Sequence, residues 1–293
     1  MTADLPEIVS SEEQMYQDAI NQPLAKKVDN AIGLIRLLGS KALVCFSGGK
    51  DSVVIKDLAR RTGITHQAIY SVTTIDPPEL IYFIREFHRD VIWNRQPKHL
   101  LQYMVDNGKG LPTRWARWCC DVYKENTGAG DKIIGVRAEE SLRRRRLWKQ
   151  VNARRGGMII APIVYWTDAD VWQYIHENSL PYCRLYDEGF KRIGCIGCPL
   201  AGAKNQKKEF DRYPKFKEMW FRYTVKFWNR WHGVPNKTGT RRFFEDFGSP
   251  DAYFDWWLSG KSKEKNEQTM QNALDLFGEL PCDEDCQSRF VTM

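Results

Sequence analysis

The sequence contains no apolar run approaching the about 18 residues that a bilayer span requires, so no stretch of it reads as a transmembrane helix. It has no internal repeat and no low-complexity tract, which sets aside solenoids, propellers and fibrous folds. Its first ten residues carry Asp4 and Glu7 and lack the basic-then-apolar order of a signal peptide, from which a cytoplasmic location is expected. Thiols are then expected to stay reduced, and the eight cysteines point to metal or redox chemistry rather than to a disulfide framework. Hydrophobic residues make up 42% and charged residues 28% of the chain, as in an ordinary globular protein. The 293 residues suffice for one large α/β domain with an added segment, or for two small domains. The formal charge of +7 suits a polyanion, although a nucleotide-phosphate site alone accounts for several cations. The cations concentrate from Arg114 to Arg117, from Arg137 to Arg146 and from Lys204 to Lys208.

Residues 11–38 read as one helix, with Ser11 as N-cap and Leu24, Val28, Ile32 and Ile35 at helical spacing, and Gly39 ends it. A short apolar run at 42–46, a glycine turn and renewed helical spacing at 51–61 give strand, loop, helix. Further β-like runs at 67–72, 91–93, 132–136 and 158–163 alternate with helical patterns. This predicts an α/β fold, a mainly parallel sheet with helices on both faces. Beyond about Pro199 the chain turns helical, basic and aromatic. The expected division is a 1–40 helical segment, a 41–199 α/β domain and a 200–293 helical region. Trp220, Tyr223, Phe227 and Trp231 share one helix face, and a packing stripe explains them better than a nucleic-acid platform.

Ser47-Gly48-Gly49-Lys50-Asp51-Ser52 stands between the first strand and its helix, at the strand's carboxyl end, where α/β sheets bind ligands. The glycines let backbone N–H groups close around phosphate oxygens. The helix N-terminus adds its positive dipole end. Lys50 supplies a full charge from a loop expected to face solvent, and the hydroxyls of Ser47 and Ser52 can donate to the same oxygens. A plain glycine turn needs neither the lysine nor the hydroxyls. A Walker A loop would need four residues between its glycines. The segment resembles the PP-loop, Ser-Gly-Gly-x-Asp-Ser, of ATP pyrophosphatases such as GMP synthetase and the tRNA-thiolating enzymes. That resemblance implies that the loop holds the pyrophosphate part of ATP, with Mg2+, while the α-phosphate is attacked to give an adenylated intermediate.

Cys119 and Cys120 are adjacent, and Cys195 and Cys198 form a Cys-x-x-Cys pair. Four such thiolates suit zinc or an iron–sulfur cluster, and donor chemistry alone separates these poorly. The flanks carry more: Arg114, Arg117 and Trp118 before the first pair, Gly194 and Pro199 around the second, and the phrase from Trp166 to Ile175 followed by Pro181-Tyr182. Together these resemble the phosphoadenosine phosphosulfate (PAPS) reductase family from about Lys41 to Pro199. The resemblance to its cluster-bearing members implies a 4Fe-4S cluster on Cys119, Cys120, Cys195 and Cys198. Cys45 and Cys183 read as small buried residues.

A third element, Gly135-Val136-Arg137 with Ser141 and Arg143 downstream, resembles the segment of that family that contacts substrate phosphate or sulfate. Arg137 is the best-suited anion ligand there, because a guanidinium grips two oxygens at once, and Arg143 is a second candidate. Lys50, Asp51 and Arg137 are the candidate catalytic residues. Thr73, Thr74, Asp76 and Glu79 occupy the place of the family's Asp-Thr-Gly-type loop and depart from it. The chain also lacks the reductases' Glu-Cys-Gly-hydrophobic-His segment. Its late cysteines, Cys282 and Cys286, sit among Asp283, Glu284 and Asp285, which disfavour thiolate. An intact loop without a reductase nucleophile favours ATP-dependent adenylation for sulfur transfer, similar to the cluster-bearing enzyme of DNA phosphorothioation systems. The partners this implies are an adenine nucleotide, a DNA or RNA acceptor and a cysteine desulfurase, with no membrane; a homodimer is compatible with the sequence. The runner-up is a sulfonucleotide reductase using Cys282 or Cys286 with a thioredoxin-like reductant, and a third reading is a non-catalytic nucleotide sensor.

Overall fold

The computed structural model describes residues 11–154, 156–236 and 238–260. In chain order its elements are α1 (Ser11–Ile20), α2 (Leu24–Leu38), β1 (Leu43–Cys45), α3 (Lys50–Arg61), β2 (Ala68–Val72), α4 (Pro78–Phe87) and β3 (Ile92–Arg95). There follow α5 (Leu100–Asp106), α6 (Trp118–Tyr123), β4 (Lys132–Ile133), α7 (Leu142–Leu147), β5 (Val151–Arg154), β6 (Gly157–Ile160) and α8 (Asp168–Glu177). Helices α9 (Ala203–Arg212), α10 (Pro214–Trp231) and α11 (Pro250–Ser259) close the series.

The strands form one six-stranded sheet in the order β3-β2-β1-β4-β6-β5. β1 runs parallel to β2 and to β4, and β4 runs parallel to β6, while β5 is the antiparallel edge partner of β6. The expected mainly parallel α/β sheet is therefore present, and β5 is an addition that the sequence pattern did not mark. Because β2 and β4 flank β1 on opposite sides, the chain reverses its order around β1. That is the switch point at which open α/β sheets leave a crevice.

The expected single helix over 11–38 is two. Pro23 lacks an N–H and excludes helical backbone before it, so α1 stops at Ile20 and α2 restarts at Leu24. The Lys27 ammonium covers the frayed end by donating to the Ile20 carbonyl at 2.7 Å. Gly39 closes α2, its N–H bonded to the Ile35 carbonyl.

The chain divides into two compact units, differently from the expected 1–40, 41–199 and 200–293. One holds residues 1–71, 78–94 and 127–193 with the sheet, and the other holds 72–77, 95–126 and 194–293. The segments 95–126 and 194–199 join the second unit because their apolar side chains find burial there. Leu100, Leu101, Met104, Trp118, Tyr123 and Ile196 share one core with Trp220, Phe227 and Trp257. The aromatic stripe of α10 is packing, as expected: Trp220 and Phe227 are fully buried. Four indoles keep their polar ends satisfied, Trp118 donating to the Gly110 carbonyl, Trp220 to Ile196, Trp231 to Val105 and Trp257 to Pro112, whereas the buried Nε1 of Trp256 has no hydrogen-bond partner among the described residues. Among the described residues no helix is long and apolar enough to cross a membrane.

In the sheet-bearing unit, His88 lies between the rings of Phe46 and Phe83. The Lys56 ammonium, 3.2 Å from Nδ1, can only donate, so Nδ1 accepts and Nε2 carries the proton. Burial first, and the Lys56 charge second, pull the His88 pKa from 6.5 down to about 4. The unfolded chain takes up this proton near 6.5 and the folded chain does not. Stability is therefore complete above that value and falls as pH drops toward 4, by up to about 3 kcal/mol for a shift of this size. Urea unfolding midpoints measured from pH 7 to pH 4.5 should decline in the parent, and His88→Leu should flatten that limb.

Candidate functional site

Three loops meet at the carboxyl ends of the adjacent strands β1, β4 and β6, all within the sheet-bearing unit. After β1, Gly48 takes φ +75, and a Cβ there would lie 2.5 Å from Leu80 Cδ1. Only glycine allows that turn over α4. Gly49 caps α3 with extended backbone. The Ser52 hydroxyl donates to the Gly49 carbonyl at 2.7 Å, and the Ser47 hydroxyl lies 3.3 Å from that of Ser52. The first amide of the helix, Lys50 N–H, donates to the Tyr186 hydroxyl at 2.9 Å. Six residues of the predicted phosphate loop thus form a closed turn at a helix N-terminus, where backbone donors and dipole favour an anion.

Lys50 is not the solvent-facing cation expected from the sequence. It is 4% exposed, and its ammonium lies 3.0 Å from carboxylate oxygens of both Asp51 and Asp168. Arg137, also 4% exposed, reaches Asp51 through Nε at 2.5 Å, Glu139 through Nη1 at 2.7 Å and Asp168 through Nη2 at 2.9 Å. Buried charges persist only when paired, which is why both cations fold inward onto carboxylates. Burial alone would raise the Asp168 pKa, but the hydrogen bonds and charges of Lys50 and Arg137 outweigh it and hold the carboxyl below its ordinary value. Gly135 makes this approach of β4 to α3 feasible, since a Cβ there would sit 3.0 Å from the backbone carbonyl of Asp51.

The four predicted ligand cysteines all lie in the helical unit. Cys119 and Cys120 occupy the first turn of α6, and Cys195 and Cys198 lie in a loop fastened from several sides. Ile196 N–H donates to the Ile75 carbonyl, Gly197 N–H donates to Glu209, and the Gln206 amide donates to the Gly197 carbonyl. Gly197 has φ +80, and a Cβ there would meet Phe210 at 2.4 Å. All four cysteines are free thiols. The Cys119 thiol donates to Cys120, and that bond, followed by the charge of Lys124 and by Arg117, lowers the Cys120 pKa while the Cys119 pKa rises. Burial raises the Cys195 pKa against the pull of Lys124, and Cys195 and Cys198 both act electrostatically on Cys119. Among the described residues no three His, Cys, Asp or Glu side chains converge closely enough to hold a single metal ion. Four thiols within electrostatic reach of one another, with Lys124 and Arg117 to balance thiolate charge, fit the donor set of a cluster. Such a cluster brings its own irons and sulfides and spaces its ligands more widely than one ion does.

Residues 41–201 match the phosphoadenosine phosphosulfate reductase domain. The chain belongs to this family. An adenosine 5'-phosphosulfate reductase of Bacillus anthracis is 30% identical over 174 residues, which cover 55% of this chain and 76% of that protein. An uncharacterized protein of Methanocaldococcus jannaschii is 32% identical over 191 residues, 60% of this chain and 45% of its own length. The chain thus spans less than half the length of that archaeal relative, and of a second one, of which it covers 44%. A solved phosphoadenylyl-sulfate reductase of Candida auris, in a phosphate complex, covers 64% of this chain and 96% of its own at 18% identity, with a TM-score of 0.46.

Within this family member, the structure brings Ser47, Gly48, Gly49, Lys50, Asp51, Ser52 and Arg137 together. Arg143 lies exposed in α7, a helix with no buried residue. Its neighbours Arg144 and Arg145 pair with Glu140 and Glu13. Thr73, Thr74 and Asp76 belong to the helical unit, where Thr73 N–H donates to Asp76 and Leu100 N–H to the Thr74 hydroxyl. Cys183 is buried, as expected, whereas Cys45 is half-buried. Cys282 and Cys286 lie outside the described residues. Sequence reasoning missed Asp168, Glu139 and Tyr186. The first stands in the quoted tryptophan-flanked phrase, one residue past the Thr167 cap of α8, and could have been found there; no sequence signal marks Tyr186.

Lys50→Met should weaken ATP binding by about tenfold or more, the loss of a charge-assisted contact to phosphate. The variant also leaves Arg137 alone against Asp51, Asp168 and Glu139, so the unfolding midpoint should fall. Calorimetric titration and thermal unfolding check the two halves of this expectation.

Proposed function

We propose that this family member is an ATP pyrophosphatase-type enzyme that adenylates an acceptor for sulfur transfer. The observation that carries the reading is the intact loop from Ser47 to Ser52, closed at the N-terminus of α3 with Lys50 and Arg137 buried beside it. A nucleotide that arrives already activated needs no pyrophosphate grip; ATP does. The loop amides and Lys50 bind the β- and γ-phosphates, and Arg137 holds an α-phosphate oxygen as charge develops on it. Asp51 and Asp168 offer the one or two carboxylates that Mg2+ takes alongside phosphate oxygens. An acceptor oxygen then attacks the α-phosphorus, the bond to pyrophosphate breaks, and a sulfur nucleophile displaces AMP. A cysteine desulfurase supplies that sulfur as a persulfide, a dithiol reductant then cleaves the resulting S–S bond with two electrons to free the thio product, and a nucleic acid is the acceptor class that the phosphorothioation resemblance suggests.

Cys119, Cys120, Cys195 and Cys198 would hold a 4Fe-4S cluster, which supplies soft iron–sulfur chemistry to the sulfur-handling half of the reaction. The named reductase relatives favour a second reading, in which a sulfonucleotide is cleaved to sulfite with electrons from a thioredoxin-like protein. Incubating anaerobically purified protein with ATP, adenosine phosphosulfate or PAPS separates the two. Pyrophosphate and AMP from ATP support adenylation, whereas sulfite from either sulfonucleotide, with no pyrophosphate from ATP, replaces it.

Protein purified without oxygen should be brown and carry about four irons per chain, as a single 4Fe-4S cluster requires; stoichiometric zinc in its place would overturn the cluster. Cys195→Ser should lose iron and sulfur transfer together, whereas Cys282→Ser should keep most turnover. Turnover abolished in Cys282→Ser with iron and nucleotide binding unchanged would make Cys282 the nucleophile of a reductase.

A further inference from the structure

The chain has eleven tryptophans, and all stand among the described residues. Ten are buried or half-buried, but Trp115 is 75% exposed. Leaving so large an apolar ring in water forgoes the gain of burying it. A single exposed ring is ordinary in itself; what sets this one apart is its fixed support and the cations near it.

The support is fixed. The Thr113 hydroxyl accepts from Trp115 N–H at 3.2 Å and from Ala116 N–H at 3.0 Å, while Thr113 N–H donates to the Ala116 carbonyl. The root of the loop is tied to α11: Leu111 N–H donates to the Tyr253 hydroxyl, and the Trp257 indole donates to the Pro112 carbonyl at 2.6 Å. The ring is therefore presented at little cost in ordering on binding.

The surroundings are cationic. Arg114 and Arg117, both exposed, flank the ring in sequence; Arg117 pairs with Glu125 at 3.7 Å, which leaves Arg114 as the cation beside the ring. The Arg114 guanidinium lies 3.6 Å from where a Cβ on Gly202 would be, and Gly202 caps α9. The loop thus abuts the start of a helix whose buried face is Gln206 and Phe210, and whose opposite face carries Lys204, Lys208 and Arg212 with one acid, Asp211, while Lys207 lies on its flank, all exposed. Every residue named lies in the helical unit.

We infer that Trp115 is a stacking platform for an unpaired base of a single-stranded nucleic acid, whose phosphates follow Arg114 and the lysine face of α9. An aromatic face with flanking cations is what sequence-tolerant single-strand binding requires, because every base offers a π-face and every nucleotide a phosphate. The inference deepens the proposed nucleic-acid acceptor and rests on that reading for its biological sense, but its test does not pass through ATP.

Fluorescence anisotropy of a labelled ten-nucleotide oligothymidylate with the full chain should show binding that weakens steeply from 50 to 200 mM salt. Trp115→Ala should weaken it by about tenfold, and Trp115→Phe should recover most of the loss. Lys204→Ala with Lys208→Ala should lower the salt slope by about two contacts. Unchanged thermal unfolding in these exposed-site variants keeps a loss of binding from being a loss of fold. Equal affinity in Trp115→Ala and parent would overturn the platform, as would AMP competing as well as the oligonucleotide, or a dimer that Trp115→Ala dissolves. Pyrophosphate release from ATP without oligonucleotide binding would sink this inference and leave the adenylation reading standing; the converse would do the reverse.

Discussion

The guanidinium of Arg137 is the constraint on which the sheet-bearing unit's functional end depends. It issues from the loop after β4, reaches Asp51 at the start of α3 after β1, and reaches Asp168 at the start of α8 after β6. Three chain crossings are thereby tied together at the carboxyl ends of three neighbouring parallel strands. A lysine could not do this, since it lacks the planar fork that meets separate carboxylates along fixed directions. The arrangement requires Gly135, because any side chain there would push β4 away from Asp51.

The same network explains how the site tolerates two buried cations without a nucleotide. Lys50 and Arg137 are matched by Asp51, Asp168 and Glu139, with Asp51 and Asp168 shared between them. In the proposed reaction, phosphate oxygens and Mg2+ would redistribute these pairs. Cations released from the carboxylates would then face phosphate, and carboxylates released from the cations would face the metal. Two cations against three carboxylates leave this cluster one negative charge in excess, which Mg2+ bound with the nucleotide would help to offset.

The helical unit rests on a different device. Its core is aromatic, and Trp118, Trp220 and Trp257 each use their single indole donor to pin a loop carbonyl. One of those carbonyls, that of Ile196, lies between Cys195 and Cys198. The packing of Trp220 therefore fixes the cysteine loop directly, and α9 fixes it again through Glu209 and Gln206. Stability and the geometry of the thiols are coupled in this unit, and the outer face of α9 is left to solvent.

What could be read from residues alone was whatever depends on short-range order. The strand-loop-helix around Ser47 to Ser52, the alternation that gives a parallel sheet, the two cysteine pairs and the packing stripe of α10 all follow from local spacing. Pro23 was legible as well, yet the helical periodicity on either side of it concealed the break. The antiparallel β5 was not legible, because an edge strand of mixed polarity carries little periodic signal. Nor was the division of the chain: segments 72–77 and 95–126 leave the sheet domain because their apolar side chains are buried elsewhere, and burial is settled only among residues distant in sequence. The inward fold of Lys50, the roles of Asp168 and Glu139, and the Tyr186 hydroxyl at the head of α3 were likewise decided by tertiary structure. A charge in a glycine loop is free to meet water or a carboxylate; Asp51 is its neighbour in sequence, but only the parallel arrangement of β1, β4 and β6 delivers Asp168.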